Sequence, residues 1–307
     1  MDIVIPFVDC SDKVWMKNFL TYGHSENNKS QLKKINYCHY YNYDTLKYVF
    51  RGIDSFIPYT NNIFLIVSNI EQVPNYVDQS KVKIVLHKDF IPEKFLPVYQ
   101  ANTIEMFIHN INELDEEYLF IQDDIIPVSH ISYDQLFKDG LPCISFLSNN
   151  LPQGTLIYRH INISFFEAIN TVKCLTNKEI NYTGPVLWPN HGPNPMLKSV
   201  CIEASSIKRH DQLLNFYVST YRRDRNMNQY YWCYILYFLN KYAQSDINLK
   251  YTTTQDIDDI DINDIRTNYH YICINDFGSD TYTVSEIKHI LKNKLDSILP
   301  NKCKYEI

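Results

Sequence analysis

Residues able to do acid, base or metal chemistry gather at three places in this 307-residue sequence. In YLFIQDDIIPVSH, residues 118–130, an apolar run meets Gln122, Asp123 and Asp124, and apolar residues resume at once with Ile125 and Ile126. Adjacent carboxylates at the end of a buried strand suit a hard divalent cation such as Mg²⁺. That ion takes oxygen ligands and lets a substrate phosphate complete its shell. One carboxylate could instead accept a proton from an attacking hydroxyl, and a solvated Asp-Asp turn is the plainer reading of the same letters. His191 stands in WPNHGPNP, residues 188–195, where three prolines and a glycine exclude a helix. A histidine held in so rigid a loop can act as an acid or base, bind a phosphate, or simply be hydrogen-bonded in place. YRRDRN, residues 221–226, offers Arg222, Arg223 and Arg225. Guanidinium groups fit phosphate oxygens bidentately and stabilise charge in phosphoryl transfer, although a solvated basic turn reads the same way.

Such groups act only if strands and helices bring them together. DIVIPFVD (2–9), NIFLIVS (62–68) and KVKIVLH (81–87) are short apolar runs of strand length, of the kind that suits strands covered on both faces. From Asp44, the positions Leu46, Val49, Phe50, Ile53 and Phe56 follow helical spacing until Pro58 stops the helix. A further helix is predicted over 102–111, with Asn102 as its cap and Glu105 three residues on. The order strand, helix, strand, strand, helix, strand predicts an α/β fold with a mainly parallel sheet. In such sheets ligands gather at the carboxyl ends of strands, where Asp9 and the Asp123/Asp124 pair fall. The second half is less regular. PCISFLS suggests a hairpin or strand region, 164–173 a helix, 196–217 a helix, 228–239 a buried helix, and YICINDF a strand ending in Asn275 and Asp276. Thr283 and Glu286 form a capping box for a last helix to about residue 298.

Hydrophobic residues make up 45% of the chain and charged ones 21%, which is enough apolar side chain for a sizeable core. The net charge is −6 and no long Lys/Arg run interrupts it, so a general nucleic-acid binder is disfavoured. An anionic ligand then needs a local basic pocket or a metal ion. The eight cysteines are scattered without a CxxC pair, which reads as reduced, mostly buried thiols of a cytosolic protein. The N-terminus is not a signal peptide, and no segment reaches the roughly 18–20 apolar residues that span a bilayer.

These motifs stand in a recognisable order. DIVIPFVDCSDKVW resembles the opening signature of the Stealth family, roughly DIVYTWVDGSDPEW. DTLKYVFRGIDSFIPYTNNIFLIVS resembles its second block. The long stretch from VKIVLHKDFIP to EEYLFIQDD is similar to KIVHHKDFIP, an N-A-I-E helix and YFLYFNDD. NHGPNPMLKSV, YRRDRN, CINDF and LPNKCKYE resemble the remaining blocks. Departures are Gln122 for Asn, Cys10 for Gly, and HYYNYD where the family has an Arg-rich lead.

The resemblance implies a core like the A-type nucleotide-sugar glycosyltransferase fold with helical C-terminal additions. It implies a single catalytic domain: a nucleotide-sugar-binding half over 1–128, a variable insertion over 129–187, and a mainly helical part over 188–307 that completes the site. The implied reaction transfers a sugar 1-phosphate from a UDP-sugar to a hydroxyl of a surface polysaccharide or its lipid-linked precursor, releasing UMP. Residue by residue, the resemblance points to Asp124, His191 and Arg225 as catalytic. It points to Asp123 and Asp124 as ligands of Mg²⁺ or Mn²⁺. Asp9, Asp12, Lys47, Arg51, Asn102, Glu105 and Arg223 become substrate contacts. Its implied setting is cytoplasmic, with peripheral association at the inner face of the membrane left open. A conventional glycosyltransferase releasing UDP is the rival reading, and a non-catalytic assembly subunit the third.

Overall fold

Three apolar runs of the sequence, β1 (Asp2–Pro6), β2 (Ile63–Val67) and β3 (Lys83–Leu86), lie side by side and parallel in a computed structural model. It describes residues 1–23, 37–147, 159–221 and 226–307. β4 (Glu117–Phe120) joins parallel to β1, and the sheet runs β3-β2-β1-β4 before an antiparallel edge strand. This is an α/β fold with a mainly parallel sheet flanked by helices, as the alternation predicts. Strand geometry sends alternate side chains to opposite faces. Ile3, Ile5, Leu65 and Val67 therefore enter one core, with helix α2 (Leu46–Phe56) and the C-terminal helix (Val284–Asp296), while Val4, Phe64, Ile66 and Phe120 enter a second. Both faces being covered explains the continuous apolar runs. The N-terminal helix α1 (Lys13–Gly23), which carries no strong sequence signal, packs Trp15 and Phe19 against Tyr40, Tyr99 and Tyr221 in a separate aromatic cluster.

Four residues separate β4 from β5 (Ile125–Pro127), yet β5 belongs to another sheet. There it pairs antiparallel with β8 (Tyr271–Asn275), which in turn pairs parallel with β7 (Leu249–Thr253), a strand absent from the sequence reading. Helix α2 packs directly on β5 at Gly52. A Cβ there would stand 2.4 Å from the Pro127 carbonyl oxygen, so no larger residue fits without moving β5.

Three boundaries differ from expectation. Helix α3 spans only Ala101–Glu105, with Gln100 rather than Asn102 at its N-cap, and a 3-10 turn (Ile108–Asn110) follows. The Glu105 carbonyl accepts the Trp232 indole N–H at 3.3 Å, which diverts it from a helical partner. The stretch 196–217 is not one helix. Asn194–Leu197 forms β6, the antiparallel partner of β4, followed by α5 (Lys198–Ser205) and α6 (Lys208–Tyr217). β6 is antiparallel to β4 with Asn194 opposite Phe120, so pairing across the sheet edge overrides the local helical pattern.

Helix α4 (Arg159–Thr176) lies against α7 (Tyr230–Phe238), which is buried from Tyr230 to Leu236. Such an all-round apolar helix can sit only in a core. Its tyrosine hydroxyls find partners there: Tyr231 with Thr171 at 2.8 Å and Tyr234 with the Leu187 carbonyl at 2.6 Å. Cys10, Cys143, Cys174, Cys201, Cys233, Cys273 and Cys303 are free thiols, and Cys143, Cys201, Cys233 and Cys273 are buried. Among the described residues no helix is long and apolar enough to cross a membrane.

Candidate active site

A cavity of about 850 Å³ opens at the carboxyl ends of the parallel strands. Phe7 and Val8 follow β1, Ser68 follows β2, His87 follows β3, and Gln122, Asp123 and Asp124 follow β4; all of them line it. The chain leaves β4 and crosses to the second sheet at this point, so the acid pair sits in the gap between two sheets, where a crevice is expected.

Register explains what joins the pair. In the antiparallel β5–β8 pairing Cys273 faces Ile125. One step further, Ile274 donates its N–H to the Asp124 carbonyl at 3.0 Å. Asn275 and Asp276 thus emerge beside Asp123 and Asp124, although about 150 residues separate them in sequence. The β4–β6 pairing does the same for His191. Because β6 runs antiparallel with Asn194 opposite Phe120, the loop before β6 passes the residues just after β4. Ligand atoms of Asp124, His191 and Cys273 all lie within 4.8 Å of one another.

The electrostatics are those of crowded, part-buried carboxylates. Burial first, then Asp124 and Asp276, hold the Asp123 carboxyl well above the usual carboxylate range. Burial pushes Asp124 up to about 7. Asp276 is pushed up to about 6 by burial, against the opposing pull of hydrogen bonds from Gly278, Tyr43 and Thr254. No lysine or arginine is among the described residues lining the cavity. Asp124 Oδ1 is buried and has no hydrogen-bond partner among the described residues, while its Oδ2 accepts the Cys273 S–H at 3.8 Å. His191 is clamped: Nδ1 lies 3.1 Å from the Tyr230 hydroxyl and Nε2 lies 3.1 Å from the Asn275 amide. With the amide donating, Nε2 accepts and the ring proton sits on Nδ1.

This donor set fits a divalent cation. An orphaned Asp124 oxygen within 4.8 Å of His191, with the raised carboxyls of Asp123 and Asp276 near it, is the chemistry that such an ion neutralises. Burial and Asp124 keep the Cys273 thiol well above its ordinary range, hence protonated. With the thiol protonated, the carboxylate oxygens are the donors that suit a hard divalent cation.

The predicted site residues divide by location. Asp123, Asp124, His191, Asn102 and Glu105 all line the cavity. Glu105 is held there by Gln229 N–H at 2.9 Å and by Gln122. Asp9 and Asp12 shape the loop after β1. Asp9 accepts from Ser11 N–H and the Asn42 amide, and Asp12 Oδ1 accepts Trp15 N–H at the start of α1. Lys47 and Arg51 do not line the cavity. Arg51 is buried away from it, where its guanidinium donates to both Glu306 oxygens at 2.8 and 3.0 Å and to the Leu299 carbonyl at 2.9 Å. Arg223 and Arg225 lie outside the described residues. Sequence reasoning did not assign Asp276, Asn275, Tyr230, Gln100, Gln229 or His87 to the site. Asp276 carried the available signal, an acid at a strand's carboxyl end.

An α/β protein with an acid-lined crevice at the carboxyl ends of its strands is the class that fold and site define. Comparison with known proteins then says what the chain is similar to. Residues 39–143 match Stealth protein CR2, conserved region 2. Over 100% of this chain and 99% of theirs, receptor polysaccharide phosphotransferase WefC of Streptococcus gordonii is 27% identical and capsular polysaccharide phosphotransferase WcwK of Streptococcus pneumoniae is 25% identical. The resemblance read from the sequence is matched by the second Stealth conserved region over 39–143, and relatives named polysaccharide phosphotransferases align with the chain from end to end. A crystal structure of galactosyltransferase LgtC with donor and acceptor sugar analogues aligns with 99% of this chain and 98% of that one, at TM-score 0.47 and 11% identity. The fold class rests on the sheet order above and not on that likeness.

Proposed function

We propose that this chain transfers a sugar 1-phosphate, of a hexose or N-acetylhexosamine, from a UDP-sugar to a hydroxyl of a surface polysaccharide or its lipid-linked precursor. The chain is an enzyme of the kind its relatives are named for, polysaccharide phosphotransferases. The acceptor oxygen bonds to the phosphorus nearest the donor sugar. The bond from that phosphorus to the bridging oxygen breaks, and UMP leaves with the electron pair. The observation that carries the reading is the cluster of Asp123, Asp124 and Asp276 facing one cavity with no described lysine or arginine on its wall.

Asp123 and Asp124, with Asp276 beside them, would hold Mg²⁺ or Mn²⁺, which when bound supplies positive charge against a diphosphate. Asp124, whose Oδ1 has no partner among the described residues, is placed to take the proton of the acceptor hydroxyl, and His191 is the alternative base once the Asn275 amide releases Nε2. Asn102 and Glu105 contact the substrate from the cavity wall, and Arg223 and Arg225 meet phosphate oxygens as bidentate donors. Asp9 and Asp12 act by setting the loop after β1. The whole chain works as one catalytic unit, a reading supported by a cavity whose lining runs from Pro6 to Leu291. A lipid-linked acceptor would put the enzyme at the cytoplasmic face of the membrane as a peripheral protein.

The test is the identity of the leaving nucleotide. With a panel of UDP-sugars and an oligosaccharide acceptor, turnover should release UMP and leave phosphorus in the product. Stoichiometric UDP with no phosphorus in the product would overturn the reading in favour of a conventional glycosyltransferase.

A further inference from the structure

Two buried side-chain amides on the cavity wall present oxygens with nothing to accept. Gln100 and Gln229 are 6% and 4% exposed. Both line the cavity. Their Oε1 atoms are buried without a hydrogen-bond partner among the described residues. The orientation of Gln100 is not arbitrary. Its Nε2 donates to the Ser219 carbonyl at 3.0 Å, and a carbonyl oxygen can only accept, so Oε1 must point the other way. Thr103 hydroxyl donates to the same carbonyl at 2.9 Å and fixes the anchor. Gln229 is held by its backbone N–H on the Glu105 carboxylate at 2.9 Å. The two residues therefore flank helix α3, Gln100 at its N-cap and Gln229 against its last residue, along about 7.5 Å of helix. Gln122 joins this wall to the acid pair, being adjacent to Asp123 and 3.5 Å from Glu105 Oε1.

A buried amide oxygen left without a donor costs about 1–3 kcal/mol. Two such oxygens on one cavity wall are a cost the fold does not recover by itself, and a ligand rich in O–H donors would recover it. Glu105, 3% exposed between them, spends its carboxylate oxygens on Gln229 N–H and the Gln122 amide and so braces the same wall. We propose that Gln100 and Gln229 form the sugar-hydroxyl subsite of this cavity, accepting hydrogen bonds from ring hydroxyls of a pyranose bound against α3. The assignment rests on the sugar-phosphate transfer proposed above and names the wall that reads the sugar, as distinct from the acids that face the phosphates. A site built to accept from a hydroxyl rejects an analogue lacking it far more strongly than an apolar pocket does.

The experiment measures binding of UMP, UDP-glucose, UDP-galactose and their N-acetylamino counterparts by calorimetry, and KM for an oligosaccharide acceptor. It is run on the wild type, Gln229→Met and Gln100→Met. Methionine keeps the length and removes the acceptor. Gln229→Met should melt at or above the wild-type temperature, because an unsatisfied polar group is removed. Gln100→Met should melt lower, having lost the bond to Ser219. Each should lose about 3–10-fold in sugar recognition, the scale of one neutral hydrogen bond, with UMP affinity unchanged. Weaker UDP-sugar binding with unchanged acceptor KM assigns the subsite to the donor sugar, and the converse assigns it to the acceptor. Wild-type binding of UDP-sugars with both variants unchanged in every sugar measurement overturns the subsite alone. A wild type that binds neither UMP nor any UDP-sugar overturns the proposed function and the subsite with it.

Discussion

Arg51 and the cluster of Asp123, Asp124 and Asp276 are both buried charge, and the chain treats them in opposite ways. Around Arg51 four of the five N–H donors meet acceptors, two Glu306 oxygens, the Leu299 carbonyl and Asp296 at 3.5 Å, and the Tyr48 ring lies with its centroid 5.1 Å away. Tyr48 in turn donates to Asp296 at 2.8 Å. This network ties helix α2 to the C-terminal segment, and the bidentate fork is the geometry in which a guanidinium tolerates burial. Around the three aspartates the described residues give the reverse. Like charges converge and their carboxyls are pushed up; Asp276 still accepts from Tyr43 and Gly278, while Asp124 Oδ1 has no donor among the described residues. Charge that is matched inside the protein holds the fold. Charge left unmatched beside a cavity is charge that something from outside must match.

Substitutions can break that contrast. The largest effect is expected at Arg51, because removing one partner of a buried pair strands the other. Arg51→Ala should cost about 3–5 kcal/mol, read as a lower urea midpoint, with the turnover of the protein that remains folded unchanged. Lost turnover at full stability would instead put Arg51 on the substrate. Next come Asp124→Asn and Asp276→Asn. Each should lower turnover by ~10²-fold or more, while the melting temperature holds or rises as like-charge repulsion is relieved. A fall in both would make the cluster structural, like Arg51.

Gly52→Ala tests the link between the two regions, since residue 52 lies next to Arg51 and presses on the strand that leaves the acid pair. Its new Cβ would meet the Pro127 carbonyl, which should cost about 1–3 kcal/mol of overpacking and lower turnover as β5 shifts. Unchanged turnover in the folded variant would show that the acids tolerate movement of β5. The smallest effect concerns a third kind of buried group. His109 and His210 flank Trp232, and burial pushes their imidazoles down to about 3 and about 4. Their folded pKa values lie below the ordinary 6.5, so the stability they contribute is present above that pH and is lost as pH falls towards 4. Melting curves from pH 7 to pH 5 should shift downward, and the shift should shrink in His109→Gln. An unchanged slope would remove His109 from the account.

Much of the sheet was legible because its strands are covered on both faces, and 63–67 reads as an unbroken apolar run. The acid pair and His191 were legible as residues, since a doublet of aspartates at a strand end and a proline-bounded histidine both stand out. What the spacing did not carry was their convergence. His191 reaches the acids through β6, whose residues Met196 and Leu197 read as the start of a helix until pairing with β4 is known. Asp276 arrives through the antiparallel register of β5 and β8, a contact across about 150 residues that no local pattern encodes. Arg51 shows the opposite limit. It falls on a family block, yet its type and position do not tell a substrate contact from a clamp on Glu306. Gln100 and Gln229 were silent because a glutamine becomes informative only when burial removes its water.

The central claim is that a divalent cation binds at the acid pair Asp123 and Asp124, where Asp124 Oδ1 has no hydrogen-bond partner among the described residues and Asp276 lies close by. The most direct measurement is the melting temperature of the metal-stripped protein, wild type and Asp123→Asn/Asp124→Asn, titrated with Mg²⁺ and Mn²⁺. A cation at 100 times its dissociation constant should stabilise the wild type by about 2.7 kcal/mol. The double variant should remain folded, start at an equal or higher melting temperature, and show no such shift. An equal cation shift in both proteins, or none in the wild type, would contradict the claim.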